Sequence, residues 1–162
     1  DAPFLLHGSA ARTARGVHVF CGPSGAGKST AAGHSRAHTI LTDEAIVVSP
    51  AASPAPDGGP APVRIDGSPI NPFNVDKEPG GGPLAGLYLL AKAPVHALRP
   101  VAREEALPRL TQEVMVPLGL LETSMATGMA RALERAHRLW ASGRVQELQF
   151  RPDPGFWALL EA

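Results

Sequence analysis

Apolar and polar positions follow short periods along the first third of the chain. "PFLLHGSA" (residues 3–10) is an apolar run closed by Gly and Ser, "RTARG" (12–16) is a polar turn, and "VHVFC" (17–21) alternates and is β-branched at Val17 and Val19. That order predicts strand, turn, strand, with His7 ending the strand that precedes "VHVFC". A helix is expected to start inside the glycine-rich stretch that follows and to run through Ala31, Ala32 and beyond. "TILTDEAIVVS" (39–49) then reads as a further apolar strand, broken by two carboxylates. A strand–helix–strand unit of this kind favours a parallel pairing of its strands through a right-handed crossover.

The pattern changes at Ser49. Nine prolines and six glycines fall in the 35 residues 49–83, too many for helix and hard to place in central strands. This stretch reads as an irregular insertion with brief strand at "PVRI" (62–65) and "FNV" (73–75), and "GGGP" (80–83) as either a hinge or a plain surface loop. "LAGLYLLAK" (84–92) resumes as a buried strand and "VHALRPV" (95–101) as its partner, joined by a turn at Lys92–Pro94. Residues 103–143 have helical spacing, interrupted at Pro108 and Pro117 and stopped by Gly143, and are expected to cover one side of the sheet. "VQELQF" (145–150) alternates like a last strand, and "RPDPGFWALLEA" (151–162) reads as a turn with a closing amphipathic segment. The elements define an α/β chain, residues 1–162 forming a single domain.

Composition narrows the class. A chain of 162 residues is long enough to bury a core without disulfides or structural metal. Its apolar content of 44% contains no uninterrupted run near 18 residues, so no membrane span is expected. Fifteen Lys and Arg balance fifteen Asp and Glu, which leaves no net field to draw the chain to nucleic acid or an anionic membrane. The lone Cys21 and the lack of a basic-then-apolar opening point to a reducing cytoplasm. A first residue of Asp1 rather than Met leaves open a processed chain or one lacking an N-terminal domain.

The strongest chemical signal is "GPSGAGKS" (22–29), which satisfies G-x-x-x-x-G-K-S/T in full. Backbone N–H groups of such a loop point inward around phosphate oxygens, and glycines permit the dihedral angles and close approach this requires. Lys28 is expected to reach the β- and γ-phosphates and Ser29 to offer its hydroxyl to Mg²⁺, with the following helix adding its positive dipole end. Only three of the fifteen basic residues are lysines (Lys28, Lys77 and Lys92), and one of them stands in this loop. The bland alternative, an ordinary glycine-rich turn, does not account for the Lys and hydroxyl at the required offsets. Asp43 and Glu44 stand where a strand would emerge near the loop, and adjacent carboxylates can divide metal binding from proton acceptance. The plain reading of the pair is a solvated strand end. His7 on its own reads as a structural residue, Cys21 as a buried strand residue, and His34 and His38, at helical i,i+4 spacing, lack an evident third ligand for a metal.

In their order along the chain, "LLHGSA", "GPSGAGKST" and "LTDEAIVV" resemble the catalytic domain of the HPr serine kinase/phosphorylase family. They resemble more closely the HPr kinase-related proteins found beside peptide-modification genes. "PLAGLYLLAKAPVHALRPVAREEALPRL" and "VQELQFRPDPGFWALLEA" extend the likeness over most of the chain. The resemblance implies a P-loop, phosphoenolpyruvate carboxykinase-like mixed sheet with a C-terminal helical cover. It implies ATP held by Gly22, Pro23, Ser24, Gly25, Ala26, Gly27, Lys28, Ser29 and Thr30, with Mg²⁺ on Ser29 and Glu44. It also implies Asp43 as the group accepting the proton of a serine hydroxyl, and His7 as the active-site histidine. Three departures stand out. Glu44 replaces a second Asp, Arg64 occupies the place of a Glu used in both directions of the family reaction, and the helix after the loop is about two residues shorter.

The function expected is an ATP-dependent kinase moving the γ-phosphate to a hydroxyl, the acceptor being serine on a protein or peptide. Arg12, Arg15, Arg64 and Arg99 are candidates for stabilising the transferred charge. Two other readings stand beside it: an ATP-binding sensor or accessory module without transfer, and a small-metabolite kinase of the same fold. The resembled family often forms homo-oligomers. Phe73, Trp140 and Trp157, which would also suit an interface, are read as core residues.

Overall fold

The computed structural model describes residues 2–50, 58–59, 61–68, 78–115 and 124–162. It is a mixed α/β structure built on a mixed sheet with a few helices. The expected strand at 73–75 and the break at Pro117 lie outside the described residues, as does Phe73.

The first strands are β1 (Phe4–His7), β2 (Ser9–Thr13) and β3 (Gly16–Cys21). β2 and β3 form a hairpin, Thr13 opposite Gly16, with only two residues between them. Because this hairpin is local, β2 takes the edge of β3. The strand after the glycine loop, β4 (Thr39–Thr42), therefore pairs with the far edge of β2 and not with β3. The parallel pairing expected from the strand–helix–strand pattern is thus replaced by an interposed antiparallel strand. "TILTDEAIVVS" is also two strands. The chain bends at Asp43 and Glu44, and β5 (Ala45–Pro50) leaves to pair with β1, His7 opposite Ala45.

Part of the Pro/Gly-rich stretch is regular. β6 (Val63–Gly67) pairs with β5, and the glycines at 81 and 82 open β7 (Gly81–Lys92), the longest strand, paired there with β6. These glycines are therefore neither hinge nor loop. β7 runs parallel to β3 on one edge; on the other it meets β6 at its start and β10 (Val145–Phe150) further on. With both edges taken, β7 has no room for β8 (Ala97–Pro100), which pairs antiparallel with β10 instead of with the strand it follows.

Two helices lie between β8 and β10. α2 (Arg103–Glu113) continues through Pro108, where a break was expected. The ring removes one backbone hydrogen bond and costs about 3 kcal/mol in a helix interior. Ala106 and Leu110 are fully buried on the same helix, and α2 packs along α3 (Met125–Ala141), so tertiary burial offsets that cost. β9 (Val114–Met115) follows α2 directly and pairs with β1. α3 ends at Ala141, capped by Ser142 ahead of Gly143, as the sequence predicts.

The sheet is covered on both faces, not one. Val17, Val19 and Cys21 of β3 and Leu87 and Leu89 of β7 point into the core beneath α2 and α3. Their alternate neighbours Phe20, Tyr88 and Leu90 pack with Phe150, Phe156, Trp157 and Ala31 on the other face. That second face is closed by α1 (Lys28–Gly33) and by a 3₁₀ turn (Pro154–Phe156) leading into α4 (Trp157–Leu160). Trp157 is buried and Trp140 packs half-buried against the core, as expected of both. Among the described residues no helix is long and apolar enough to cross a membrane.

Candidate functional site

The glycine loop runs from the end of β3 at Cys21 to the start of α1 at Lys28. Gly27 caps the helix at φ 107°, a conformation in which an L side chain is strained, and a Cβ there would sit 2.7 Å from Cζ of Phe150. The Ala26 N–H donates to the Pro23 carbonyl at 3.0 Å, and the buried Ser9 hydroxyl donates to the Lys28 carbonyl at 2.9 Å, tying the start of α1 to β2. The Lys28 side chain, 9% exposed, curls over its own loop: Nζ donates to the carbonyls of Gly22 at 2.5 Å and Pro23 at 3.2 Å.

α1 is only six residues long. The helix expected to continue beyond Ala32 stops at Gly33. The helical spacing of His34 and His38 is not realised. His38 instead packs on Trp157, ring centroids 4.1 Å apart, and lies 3.2 Å from the Glu161 carboxylate. Among the described residues no three His, Cys, Asp or Glu side chains gather as a metal-binding cluster. Cys21 is wholly buried, and burial pushes its thiol well above the ordinary range, which suits a core residue and not a nucleophile.

A cavity of about 600 Å³ opens beside the loop. It is lined by Ser24, Gly25, Gly27, Lys28, Ser29 and Thr30 of the loop and the start of α1, together with His7, Glu44 and Lys92. Of the loop residues expected to hold nucleotide, Gly22, Pro23 and Ala26 shape the loop without lining the cavity. The expected metal pair, Ser29 and Glu44, shares the cavity. Asp43 does not line it: one residue before Glu44, it is buried at 1% exposure.

His7 reaches the site because Gly8 lets the chain pass close to β3. The Gly8 N–H donates to the Glu44 carbonyl at 3.0 Å, and a Cβ on Gly8 would lie 2.8 Å from the Phe20 carbonyl oxygen. His7 then sits between two carboxylates: its Nδ1 is 3.0 Å from Glu113 Oε2 and its Nε2 is 3.6 Å from Glu44 Oε1. Glu113, the last residue of α2, is 4% exposed, and burial pushes its carboxyl up against the opposing pull of Lys28 and His7.

None of the four candidate arginines is among the described lining residues. Arg64 is paired with Asp66 through two hydrogen bonds, Arg15 donates to the Ala162 carbonyl, and Arg99 joins Glu105 and Glu147 in a cluster with Arg109. Burial works against the charge on Glu147, but hydrogen bonds from Arg99, Arg109 and Gln149 outweigh it and hold that carboxyl low. The cluster binds β8, β10 and α2 together. Sequence reasoning missed Lys92 and Glu113. Lys92 ends the strand β7 that runs parallel to the loop-bearing β3, so strand order alone would place it near the loop. Glu113 carries no such signal, since only the pairing of β9 with β1 brings it to His7.

Comparison with models of known protein families and with curated proteins finds no match for this chain.

Proposed function

We propose that the chain is an ATP-dependent phosphotransferase of the P-loop, phosphoenolpyruvate carboxykinase-like kind, acting on a hydroxyl, with a serine of a protein or peptide as the acceptor class. The observation that carries the reading is a cavity lined jointly by residues of a G-x-x-x-x-G-K-S loop, a histidine, a carboxylate and a second lysine. The donor set fits a triphosphate with Mg²⁺. Loop amides and Lys28 suit phosphate oxygens, and Ser29 and Glu44 are oxygen ligands of the kind Mg²⁺ takes one or two at a time beside phosphate and water. Bound Mg²⁺ supplies neutralisation of the charge that shifts onto the leaving diphosphate.

The protein's own contribution is positioning and charge. Lys28 must leave the carbonyls of Gly22 and Pro23 to reach phosphate, and Lys92 offers a second cation at the cavity, which none of the four candidate arginines lines. The group that takes the hydroxyl proton has to face the acceptor. His7 and Glu44 line the cavity and support that role better than the buried Asp43.

The test is calorimetric titration of ATP·Mg²⁺ together with transfer of labelled γ-phosphate to serine peptides. Lys28→Ala removes a charge-assisted contact worth about 1.5–3 kcal/mol, so affinity is expected to fall about 10- to 160-fold at a temperature where both proteins remain folded. Equal affinity in both proteins refutes the reading. A second reading, an ATP-binding module without transfer, draws support from the burial of Asp43. Binding lost in Lys28→Ala, with no transfer by the parent chain to any acceptor, selects it. Transfer confined to free hydroxyl compounds assigns the acceptor to a small metabolite.

A further inference from the structure

We propose that Glu113 is a positioning residue for His7: it holds the Nδ1 proton and so presents a bare Nε2 to Glu44 and the cavity. Its catalytic consequence rests on the phosphotransfer reading; the tautomer it imposes does not.

The placement is built into the fold. Glu113 ends α2, Val114 of β9 is opposite Leu6 of β1, and His7 is the next residue of β1, so backbone pairing holds the two side chains together. Glu113 is buried and is not a cavity-lining residue, so its access to the reaction runs through His7. Burying a carboxylate costs several kcal/mol unless it is hydrogen-bonded, and its hydrogen-bond partner is Nδ1 of His7 at 3.0 Å. Against the push of burial, Lys28 and His7 favour the ionised form of Glu113, and in that form it only accepts, so Nδ1 donates. A neutral imidazole carries one N–H, which leaves the lone pair on Nε2. That nitrogen lies on the Glu44 side, 3.6 Å from its carboxylate.

With a hydroxyl and ATP in the cavity, the step balances simply. The hydroxyl oxygen bonds to the γ-phosphorus, and the bond from that phosphorus to the β–γ bridging oxygen breaks. Its electron pair stays on ADP, and the hydroxyl proton moves to Nε2 of His7. The imidazolium so formed is stabilised through Nδ1 by the Glu113 carboxylate 3.0 Å away.

A purely structural role, fastening the end of α2 to β1, predicts something different, and two variants separate the two. The chain has six histidines, and the His7 signals in a ¹⁵N-imidazole spectrum are assigned by their loss in His7→Gln. At about pH 8.5 the parent protein is expected to show Nδ1 protonated and Nε2 bare. Glu113→Gln, whose amide can donate as well as accept, and Glu113→Leu, which can do neither, are each expected to move the proton toward Nε2. Both should keep a cooperative unfolding transition. Transfer by either variant is expected to fall about 100-fold in kcat, the scale of general-base catalysis, with KM for ATP unchanged. A parent Nδ1 without its proton overturns the proposal, as does an unaltered tautomer in both variants, or a shifted tautomer with undiminished kcat. A parent chain that shows the Nδ1–H tautomer yet transfers no phosphate refutes the kinase reading while leaving the positioning of His7 by Glu113 intact.

Discussion

Replacing Gly27 by alanine tests the geometry of the loop. Gly27 has φ 107°, and in the left-handed region a side chain costs about 1–2 kcal/mol. The added Cβ would also lie 2.7 Å from Phe150 Cζ, where carbon atoms ordinarily approach no closer than about 3.5 Å. Forcing a methyl into a packed ring costs about 1–3 kcal/mol. The sum is about 2–5 kcal/mol, and at 162 residues each kcal/mol moves the melting temperature about 3 °C, so a fall of about 6–15 °C is expected. Gly25 supplies the control. It also has a positive φ of 80°, but nothing lies within 4 Å of a Cβ there, so Gly25→Ala bears the backbone cost alone and loses about 3–6 °C. The assay is thermal and urea unfolding of both variants, repeated in a Phe150→Leu background. If the ring is what the new methyl meets, the extra cost of Gly27→Ala over Gly25→Ala shrinks in that background. Equal losses for the two variants, or an excess that survives Phe150→Leu, would refute the packing of the loop against β10.

Two further predictions concern the second core. Burial pushes the His18 imidazole down to about 4, with His38 acting in the same direction. Between about pH 6.5 and 4 the unfolded chain therefore binds a proton that the folded one does not; the stability is complete above that window and falls as pH drops through it. The loss is up to about 3 kcal/mol, about 2 of it between pH 7 and pH 5. Urea titrations at those two pH values should show His18→Gln with a correspondingly flatter dependence, and parallel slopes would deny it. Ser35 accepts the Trp157 indole N–H at 3.1 Å and donates to the Ala31 carbonyl at 2.6 Å, joining α1 to α4. Ser35→Ala leaves a buried N–H without its acceptor and should cost about 1–3 kcal/mol in urea unfolding, a change under about 0.5 speaking against it.

What the chain alone determined was local. Alternation marked β3 and β10, an apolar run marked β7, Gly143 marked the end of α3, and the offsets of Gly22, Gly27, Lys28 and Ser29 matched a phosphate-loop pattern that needs only backbone geometry and a few side chains within eight residues. What the tertiary structure decided was which edges were free and what they brought together. The two-residue hairpin occupied the edge of β3 before β4 could reach it, the two filled edges of β7 sent β8 to β10, and burial of Ala106 and Leu110 carried α2 through Pro108. The same logic assembled the site: Glu113 stands 106 residues from His7, and Lys92 lies 64 residues beyond Lys28. No pattern within a few turns of chain encodes such pairs. They meet because strand pairing and burial, summed over the whole sheet, set β9 against β1 and bring the ends of β1 and β7 to one cavity.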